Sequence, residues 1–549
     1  MQIELKKALT GKKFLLVLDD VWNENYNSRA TLKAPFITGA PNSKIIVTTC
    51  NSHVASTMGP IQRYNLKALS NEDCWSVFLM HAFNDRDIVE HPISELFRQK
   101  VVAKCGGLPS AAATLGGLLG SRRRDAWDAL LNSNILADLP QQSDIHPVLR
   151  LSYHYRPSHL KRCFAYCAIF PKDYELTEKE VVLLWMVEGI IQQSRKDKEL
   201  EDWGSECFHD LVSRSIFQPS SSDSSKFVMH DLVHDLAQLI SGQIIFNLDE
   251  ANRSSRRLER VRHSSHSRGW FEGKDKFEFL YEVKHLRTFL PIYARGGADY
   301  RFIRAAVPYD LLPKSRKLRV LSLQHYYVTE LGELPNSIAD LRLLRCLNLA
   351  STAIESSPES TSSMLNLEIL ILKDCTSLRK LPTKMRKLIN LRHLDIEGAN
   401  LLTEMPWGMK ELKNLRKLSN FTVGDCGSRL KDLKNLKFLR GELCISGLHN
   451  VHDSQDAREA MLCEKQNLKA LSLQWGTQCQ KDFNKRMISS YSSLFMSQIV
   501  ISSAEEVEEN VLDMLQPQKD LKELTISRYG GVRFPSWVAN PSFSMMEVV

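Results

Sequence analysis

The chain lacks three features that would assign it to a narrower class of protein. Its longest apolar run, residues 181–187, has seven residues and cannot span a bilayer, and the run near the N-terminus ends at two aspartates after five residues. Its 12 cysteines follow no framework spacing, which excludes a disulfide scaffold. Its net charge of +8 is not gathered into a long basic stripe, so we expect no nucleic-acid partner. These absences predict a soluble, intracellular protein without a transmembrane segment.

The sequence also lacks a phosphate-binding loop, although it contains a strand that normally accompanies one. Residues 14–18 are a short apolar run that ends in Asp19 and Asp20, as in the magnesium-side motif of P-loop nucleotidases. The glycine-rich motif G-x-x-x-x-G-K-[ST] does not occur in the thirteen residues before this run. Gly11-Lys12 precedes the strand instead of following one, and it therefore reads as a turn.

Hydrophobic periodicity divides the chain into five segments. The continuous apolar runs at 14–18 and 44–49 predict a parallel sheet that is covered on both faces. A short strand at 227–229 precedes an apolar helical stripe, with Asp231 as its expected N-cap, and this order suggests a winged helix. The predicted segments are a partial nucleotide-binding α/β domain (1–85), a helical subdomain (86–140), a winged-helix domain (141–245), a connector (246–285) and a repeat region (286–549).

The repeat region carries the strongest periodic signal. The pattern L-x-x-L-x-L begins at Leu318 and recurs after 26, 23 and 24 residues, with further copies at Leu468 and Leu521. One repeat cannot bury its own leucines, whereas stacked neighbours can, so the pattern predicts a curved solenoid of leucine-rich repeats. Residue 549 falls within a repeat, and we expect the solenoid to be cut there.

Together these segments resemble the plant disease resistance proteins that combine an NB-ARC nucleotide-binding domain with leucine-rich repeats, in their coiled-coil class. Residues 15–22 (LLVLDDVW) resemble the family's Walker B motif, and 44–51 its next strand. Residues 105–109 (CGGLP) are similar to the glycine-leucine-proline motif, and 163–174 (CFAYCAIFPKDY) to the winged-helix signature. Met229-His230-Asp231 resembles the Met-His-Asp motif. Five motifs in family order, followed by repeats, cover essentially the whole chain.

The resemblance implies an ADP/ATP switch with Mg²⁺ and weak ATPase activity. By position, Asp19 would hold the metal and Asp20 would act on the attacking water. Thr49 and Pro109 would contact the nucleotide, Pro109 lying against the adenine, and His230 would reach a phosphate of bound ADP. The repeats would recognise a pathogen effector or a guarded host protein, and activation would involve self-association. The location would be cytoplasmic, with the nucleus and the plasma-membrane periphery as alternatives.

The recognition face is expected at the exposed positions between the repeat leucines. These positions lie on the predicted strands, where alternate side chains leave the core. They are Ser322, Asn348, Ile371, Asp395, Ser472 and Thr525.

The chain departs from the family pattern at the nucleotide site. The family's P-loop and coiled-coil domain are absent, Cys50 stands where the family has an arginine, and Ser110 replaces a leucine. A phosphate cradle supplies several charge-assisted hydrogen bonds, each worth about 1.5–3 kcal/mol, so three lost bonds forfeit roughly 5–9 kcal/mol. We therefore expect that this chain, made alone, neither binds nor hydrolyses ATP measurably. In the family the P-loop strand lies beside the Walker B strand, and without it the sheet would have unpaired edges.

Two functions follow from these observations. The favoured function is an immune receptor that switches between ADP and ATP in the defence response, represented here by a truncated member with impaired nucleotide binding. The alternative is a non-switching interaction protein, in which the repeats bind a partner and the nucleotide domain is vestigial.

Overall fold

A computed structural model describes most of the chain. The described residues are 2–19, 21, 36–49, 52–57, 63–83, 94–120, 127–131, 147–191, 198–249, 258–269, 271–292, 301–304, 307–328, 334–476, 501–538 and 547–548. They form two compact units. The first contains Met1–Asp73 and Gly106–Leu108, and the second contains Cys74–Cys105 and Pro109–Val549. No helix among the described residues is both long and apolar enough to cross a membrane.

The first unit contains a small parallel sheet. Strand β1 (Leu15–Leu18) pairs with β2 (Lys44–Val47), and helices α1 (Gln2–Leu9) and α2 (Ser52–Thr57) belong to the same unit. The predicted parallel pairing is confirmed. The prediction that both faces are covered is wrong for the described residues, because Leu15 is 65% exposed and Ile46 is 51% exposed. Two strands of four residues make too narrow a surface for two covering layers of helices.

Four helices follow, and aromatic side chains and a close backbone approach hold them together. They are α3 (Asn71–Ala82), α4 (Glu95–Cys105), α5 (Pro109–Gly120) and α6 (Trp127–Leu131). The ring of Trp127 stacks on Phe97 with centroids 5.5 Å apart and meets the edge of Phe78 at 6.4 Å. A Cβ on Gly116 would lie 2.6 Å from the Phe78 carbonyl oxygen, so only glycine allows α5 to approach α3 this closely.

The winged-helix domain consists of helices around an antiparallel hairpin. Its elements are α7 (Pro147–His154), α8 (Ser158–Tyr166), α9 (Glu178–Glu188), α10 (Leu200–Ser213), β3 (Phe217–Pro219), β4 (Phe227–Met229) and α11 (Asp231–Ser241). Helix α9 starts where the Thr177 side chain accepts a 3.2 Å bond from the Glu180 amide, and it ends at Gly189 with φ 72°. Trp185, Phe208 and Phe217 are almost fully buried in the core. The predicted winged helix is confirmed.

The repeats form parallel sheets, as predicted. One sheet has eight strands and another has five. The strands of the first sheet are β5 (Ile245–Asn247), β6 (His263–Ser267), β8 (Thr288–Ile292), β10 (Val320–Ser322), β12 (Cys346–Asn348), β13 (Ile369–Ile371), β14 (His393–Asp395) and β15 (Lys417–Leu418), and they pair in this order across the sheet. Two of them, β5 and β6, include residues of the predicted connector 246–285.

The remaining strands and helices complete the repeats. A separate three-stranded sheet pairs β7 (Phe271–Glu272), β9 (Arg301–Ile303) and β11 (Tyr326–Val328). The five-stranded sheet contains β16 (Asn420–Thr422), β17 (Gly441–Ser446), β18 (Leu468–Gln474), β19 (Glu523–Ser527) and β20 (Glu547–Val548). Two helices, α12 (Ser454–Glu459) and α13 (Ile501–Met514), lie between its strands in the chain.

In-register pairing stacks equivalent leucines. Val320 pairs with Cys346, Cys346 with Ile369, and Ile369 with His393, so successive repeats present the same position at the same height. The leucines one residue later, including Leu347 and Leu394, are fully buried in one continuous core. The other face of these strands packs against the winged-helix domain, because Val320, Cys346 and Ile369 share a buried apolar cluster with Trp185 and Val187.

Candidate functional site

The carboxyl ends of β1 and β2 bring Asp19 close to Thr48. The register Leu18↔Val47 places the two residues side by side, and the Thr48 hydroxyl donates a hydrogen bond to the Asp19 carboxylate. The Thr49 hydroxyl donates to the Val21 carbonyl at 2.6 Å, and the Val21 amide donates to the Thr48 carbonyl at 2.9 Å. Asp20 and Cys50 lie outside the described residues.

This arrangement fits a magnesium ion better than a phosphate group. Carboxylate and hydroxyl oxygens are the hard ligands that Mg²⁺ prefers, and Asp19 and Thr48 provide one of each. A phosphate instead requires hydrogen-bond donors, and the Thr48 and Thr49 hydroxyls both donate to atoms of the protein. Thr49 could donate to a nucleotide only after giving up its bond to Val21.

The glycine-leucine-proline turn depends on a left-handed glycine. Gly107 has φ +70°, and a Cβ there would lie 2.7 Å from the Ala68 Cβ, so the turn cannot accept another residue without displacement. Pro109 is the first residue of α5, where its missing N–H costs nothing, and its side chain is exposed. The Ser110 hydroxyl is buried and finds no hydrogen-bond partner among the described residues.

His230 is the N-cap of α11, and Asp231 is the first residue of the helix. The predicted N-cap, Asp231, is therefore wrong, because the His230 ring already accepts a hydrogen bond from the Leu232 amide through Nδ1 at 3.2 Å. While Nδ1 accepts this bond, Nε2 is the ring nitrogen that can donate. The His230 side chain is exposed, so Nε2 is accessible to an acceptor.

The predicted nucleotide-site residues divide between the two units. Asp19 and Thr49 belong to the first unit, and Pro109 and His230 belong to the second. Their roles toward a nucleotide stay predictions.

The predicted recognition positions are not exposed. Ser322 is 1% exposed and Asp395 is 8% exposed. The other four are half-buried: Asn348, Ile371, Ser472 and Thr525. The prediction of an exposed face at these six positions is therefore wrong. For the first sheet the reason is that the winged-helix domain packs on this face, and Ile371 lies against the same buried cluster.

Three arginine–carboxylate contacts join the start of α10 to three successive repeats. Arg392 donates to both oxygens of Glu201, the shorter bond being 2.7 Å. Arg416 reaches both oxygens of Glu199 at 3.1 Å. Arg440 donates to both oxygens of Asp202 at 2.6 and 3.2 Å. Such two-bond pairing fixes both the position and the orientation of a carboxylate.

Glu201 is the most strongly held of these carboxylates. Burial opposes its charge, but hydrogen bonds from His393 (3.0 Å) and Arg392 prevail and lower its pKa to about 2. Burial lowers the pKa of His393, so the ring acts as a neutral donor through Nε2. Glu201 therefore stays ionised at the interface under all ordinary conditions.

Sequence reasoning missed this interface. Its acidic side consists of Glu199, Glu201 and Asp202, which carry no motif. Its basic side did carry a signal, because Arg392, Arg416 and Arg440 recur at intervals of 24 residues, each directly before a strand. An arginine that recurs at the same position of successive repeats indicates a surface that binds acidic groups.

Family models match the same segments of the chain. The NB-ARC domain matches residues 1–88, and the disease resistance protein winged helix domain matches 169–237. The leucine-rich repeat region matches 309–464, and the R13L1/DRL21 LRRs match 430–549. A solved leucine-rich-repeat protein of Leptospira interrogans covers 53% of this chain and 72% of its own, at 16% identity and a TM-score of 0.29, which is too low to support an argument.

Curated relatives match over the full length of the chain. The putative disease resistance RPP13-like protein 1 of Arabidopsis thaliana is 42% identical over 100% of this chain and 50% of its own length. The disease resistance protein RGA2 of Solanum bulbocastanum is 38% identical over 98% of this chain and 50% of its own length. The chain thus spans about half the length of these relatives. With an NB-ARC segment, a winged helix and leucine-rich repeats in this order, the chain belongs to the plant disease resistance proteins of the nucleotide-binding, leucine-rich-repeat family.

Proposed function

We propose that the chain forms part of a plant immune receptor in which an ADP/ATP switch is coupled to recognition by the repeats. The observation that carries this proposal is the docking of the winged-helix domain on the repeats. The domain that bears His230 contacts the repeats through Glu199, Glu201 and Asp202. A partner that binds the repeats can therefore affect the domain that carries the Met-His-Asp motif.

The nucleotide would be held by few groups of this chain. Asp19, with Thr48 beside it, would serve Mg²⁺, and Asp20 would act on water. The exposed Pro109 would lie against the base, and His230 would donate to a phosphate from Nε2. Bound nucleotide supplies the change of charge that distinguishes the two states of the switch.

The affinity of this chain for nucleotide should be very low. The Thr48 and Thr49 hydroxyls already donate within the protein, and His230 remains as one donor. Losing three cradle bonds costs on the order of four to six decades of affinity. We therefore expect labelled ADP with Mg²⁺, titrated into the purified chain, to show no saturation at micromolar concentrations.

Two variants make this measurement specific. Asp19→Asn and His230→Ala should give titrations as flat as that of the unchanged chain, with circular dichroism showing that both are folded. Micromolar saturation that is lost in both variants would contradict the expected impairment and show a working nucleotide site.

A non-switching interaction protein is the alternative function. The exposed apolar side chains on the two-stranded sheet favour it, since Leu15 is 65% exposed and Ile46 is 51% exposed. Exposed apolar patches often bind a protein partner. Reading the genomic sequence upstream of Met1 separates the two functions. An in-frame G-x-x-x-x-G-K-[ST] segment supports the switch, and its absence supports the interaction protein.

A further inference from the structure

A row of mostly basic residues runs across the repeats, at the position just before seven strands of the first sheet (all but β5) and just before β17. In the first sheet and at the start of the second, the amide of each member donates to the carbonyl of the preceding member at 2.6–2.8 Å, so the row is continuous. Seven of its eight members are arginines. The members are Arg262, Arg287, Arg319, Arg345, Glu368, Arg392, Arg416 and Arg440.

The row resumes after the irregular pairing at Gly441. Lys469 and Lys522 stand directly before paired residues of β18 and β19, and the Lys522 amide donates to the Lys469 carbonyl at 2.8 Å. Both lysine side chains are exposed. We call this set, together with the eight residues above, the basic row.

The winged-helix domain covers only part of the basic row. Glu188, at the end of α9, accepts from Thr288, and its carbonyl accepts a 2.8 Å bond from Arg319. We define Glu199, Glu201 and Asp202 as the acidic triad. Its carboxylates accept hydrogen bonds from the last three arginines of the row, Arg392, Arg416 and Arg440. Arg392 and Arg416 are 17% and 10% exposed, whereas Arg440, the last of the three, is 34% exposed.

Beyond Arg440 the row borders open space. A cavity of about 980 Å³ lies between α9, α10 and the sheet, and its sheet wall includes Lys417, Arg440, Lys469 and Lys522. Within the described part of the chain, Lys469 and Lys522 take part in no ion pair. Carboxylates such as Glu442 and Asp520 also line the cavity, so the ordered row of cations, not the net charge, distinguishes this wall.

We propose that the basic row is the binding surface for an acidic segment of a protein partner, and that the acidic triad occupies it as an internal stand-in. The inference rests on the proposed recognition role of the repeats and gives its chemistry. The partner segment should resemble the triad, with three carboxylates within four residues, one at the N-cap of a helix and two in its first turn. Because neighbouring strands lie about 4.8 Å apart, closely spaced carboxylates can meet successive arginines.

The geometry also gives an order of binding. A partner can first contact Lys469 and Lys522, which are exposed beside the cavity, and then take Arg440 from Asp202, whose side chain is 50% exposed. Each exchange replaces one carboxylate with another, so its own free energy is small. The triad has the advantage of being tethered, and a partner overcomes it by adding contacts to the two lysines.

The probe for this surface is a labelled peptide that copies residues 198–206 (KELEDWGSE). It is titrated into the full chain carrying Glu199→Gln, Glu201→Gln and Asp202→Asn, which exposes the arginines without adding charge of the opposite sign. We expect this variant to bind the peptide at least about tenfold more tightly than the unchanged chain, since the tethered competitor is gone. Binding should weaken as NaCl rises from about 50 to about 300 mM.

Three controls decide the outcome. A peptide with glutamine and asparagine in place of the three acids should not bind, and adding Arg392→Gln, Arg416→Gln and Arg440→Gln to the variant should abolish binding of the acidic peptide. Equal binding of both peptides, or unchanged binding without the arginines, overturns the proposal. Tighter binding of a polyphosphate of equal charge also overturns it, because the row would then be a phosphate site.

A milder variant covers the case in which the triple variant does not fold. Asp202→Asn alone removes the most exposed acid and frees only Arg440, so it should bind the peptide more tightly than the unchanged chain by a smaller factor. No gain in this folded variant counts against the proposal. The ADP titration is independent of this assay, so failure here leaves the nucleotide part of the proposed function standing.

Discussion

At the scale of single residues, Arg156 is a buried charge in the winged-helix domain whose hydrogen-bonding groups are only partly satisfied. Its side chain is 4% exposed and lies over the Phe164 ring, 4.5 Å from the centroid. Nη2 donates to Ser152 at 3.1 Å, whereas Nε and Nη1 find no hydrogen-bond partner among the described residues. Burial, and then the nearby charge of Arg214, lower the pKa of Arg156 to about 9. The Walker B, glycine-leucine-proline and Met-His-Asp motifs can be recognised in the sequence, whereas no motif indicates that Arg156 is buried.

We expect Arg156→Leu to stabilise the protein. The change removes a buried cation that forms no ion pair with a carboxylate among the described residues, where Asp210 acts on it only as a nearby charge, and a leucine fills most of the same space against Phe164. Removing an uncompensated buried charge should raise the free energy of unfolding by roughly 1–3 kcal/mol. A urea-unfolding curve of the variant beside the unchanged chain measures this difference.

Arg156→Lys is the matched control. It keeps the charge and loses the planar contact with Phe164, so it should leave stability unchanged or lower it. If Arg156→Leu instead destabilises the chain by a similar amount, the guanidinium has a partner that this account omits.

The position of a single residue could be predicted from the sequence where it depends on neighbouring residues in the chain. It could not be predicted where it depends on the register between two strands. Asp19 follows an apolar strand directly, so its place at the end of β1 could be read from the sequence. Which of Thr48 and Thr49 faces it depends on the pairing of Leu18 with Val47, which no local pattern contains. The same limit applies to α11, where His230 takes the cap from Asp231 through a ring orientation.

At the scale of elements, the start of α10 should give the docked interface a dependence on pH. The pKa of Glu201 is about 2 in the folded chain against an ordinary value of 4.5, so its stabilising effect is complete above 4.5 and is lost as the pH falls toward 2. The side chain is 15% exposed, so little of this effect is screened by solvent.

We therefore expect Glu201→Gln to cost roughly 2–3 kcal/mol of stability at pH 6 and about 1 kcal/mol less at pH 3.5. Urea-unfolding midpoints of the two proteins across this pH range measure the change. Glu206→Gln, at a surface pair with Lys198, serves as the control and should show little dependence on pH. A constant difference for Glu201→Gln would mean that its pKa is not lowered by docking.

Element prediction from sequence was good for the repeats because their signal is local and repeated. Each L-x-x-L-x-L copy buries the same leucines in the same register, as Leu347 and Leu394 show. The exposure of positions such as Ser322 and Asp395 could not be predicted in this way. Their burial depends on how other elements cover the sheet, and that information lies elsewhere in the sequence.

At the scale of the second compact unit, the winged-helix domain and the repeats contact each other through a buried apolar cluster and a charged border. The apolar part includes Trp185, Val320 and Ile369, and the charged part joins the acidic triad to the basic row. Apolar contacts supply most of the free energy, whereas paired charges select one alignment out of many. Sequence order predicted the domains, but it contained no sign of which strands the winged helix would meet.

Exchanging one pair of charges tests whether this border sets the alignment. Glu199→Arg brings a third cation beside Arg392 and Arg416, so we expect it to lower hydrogen-exchange protection at the start of α10 and in β14 and β15 by about 1–2 kcal/mol. Arg416→Glu should have a comparable effect, and it also loses the contact with the Phe438 ring at 4.0 Å. The double variant restores one pair with opposite signs and should recover at least about half of the summed loss. If the two losses simply add, Glu199 and Arg416 do not act on each other, and the charged border does not determine where the winged helix lies on the repeats.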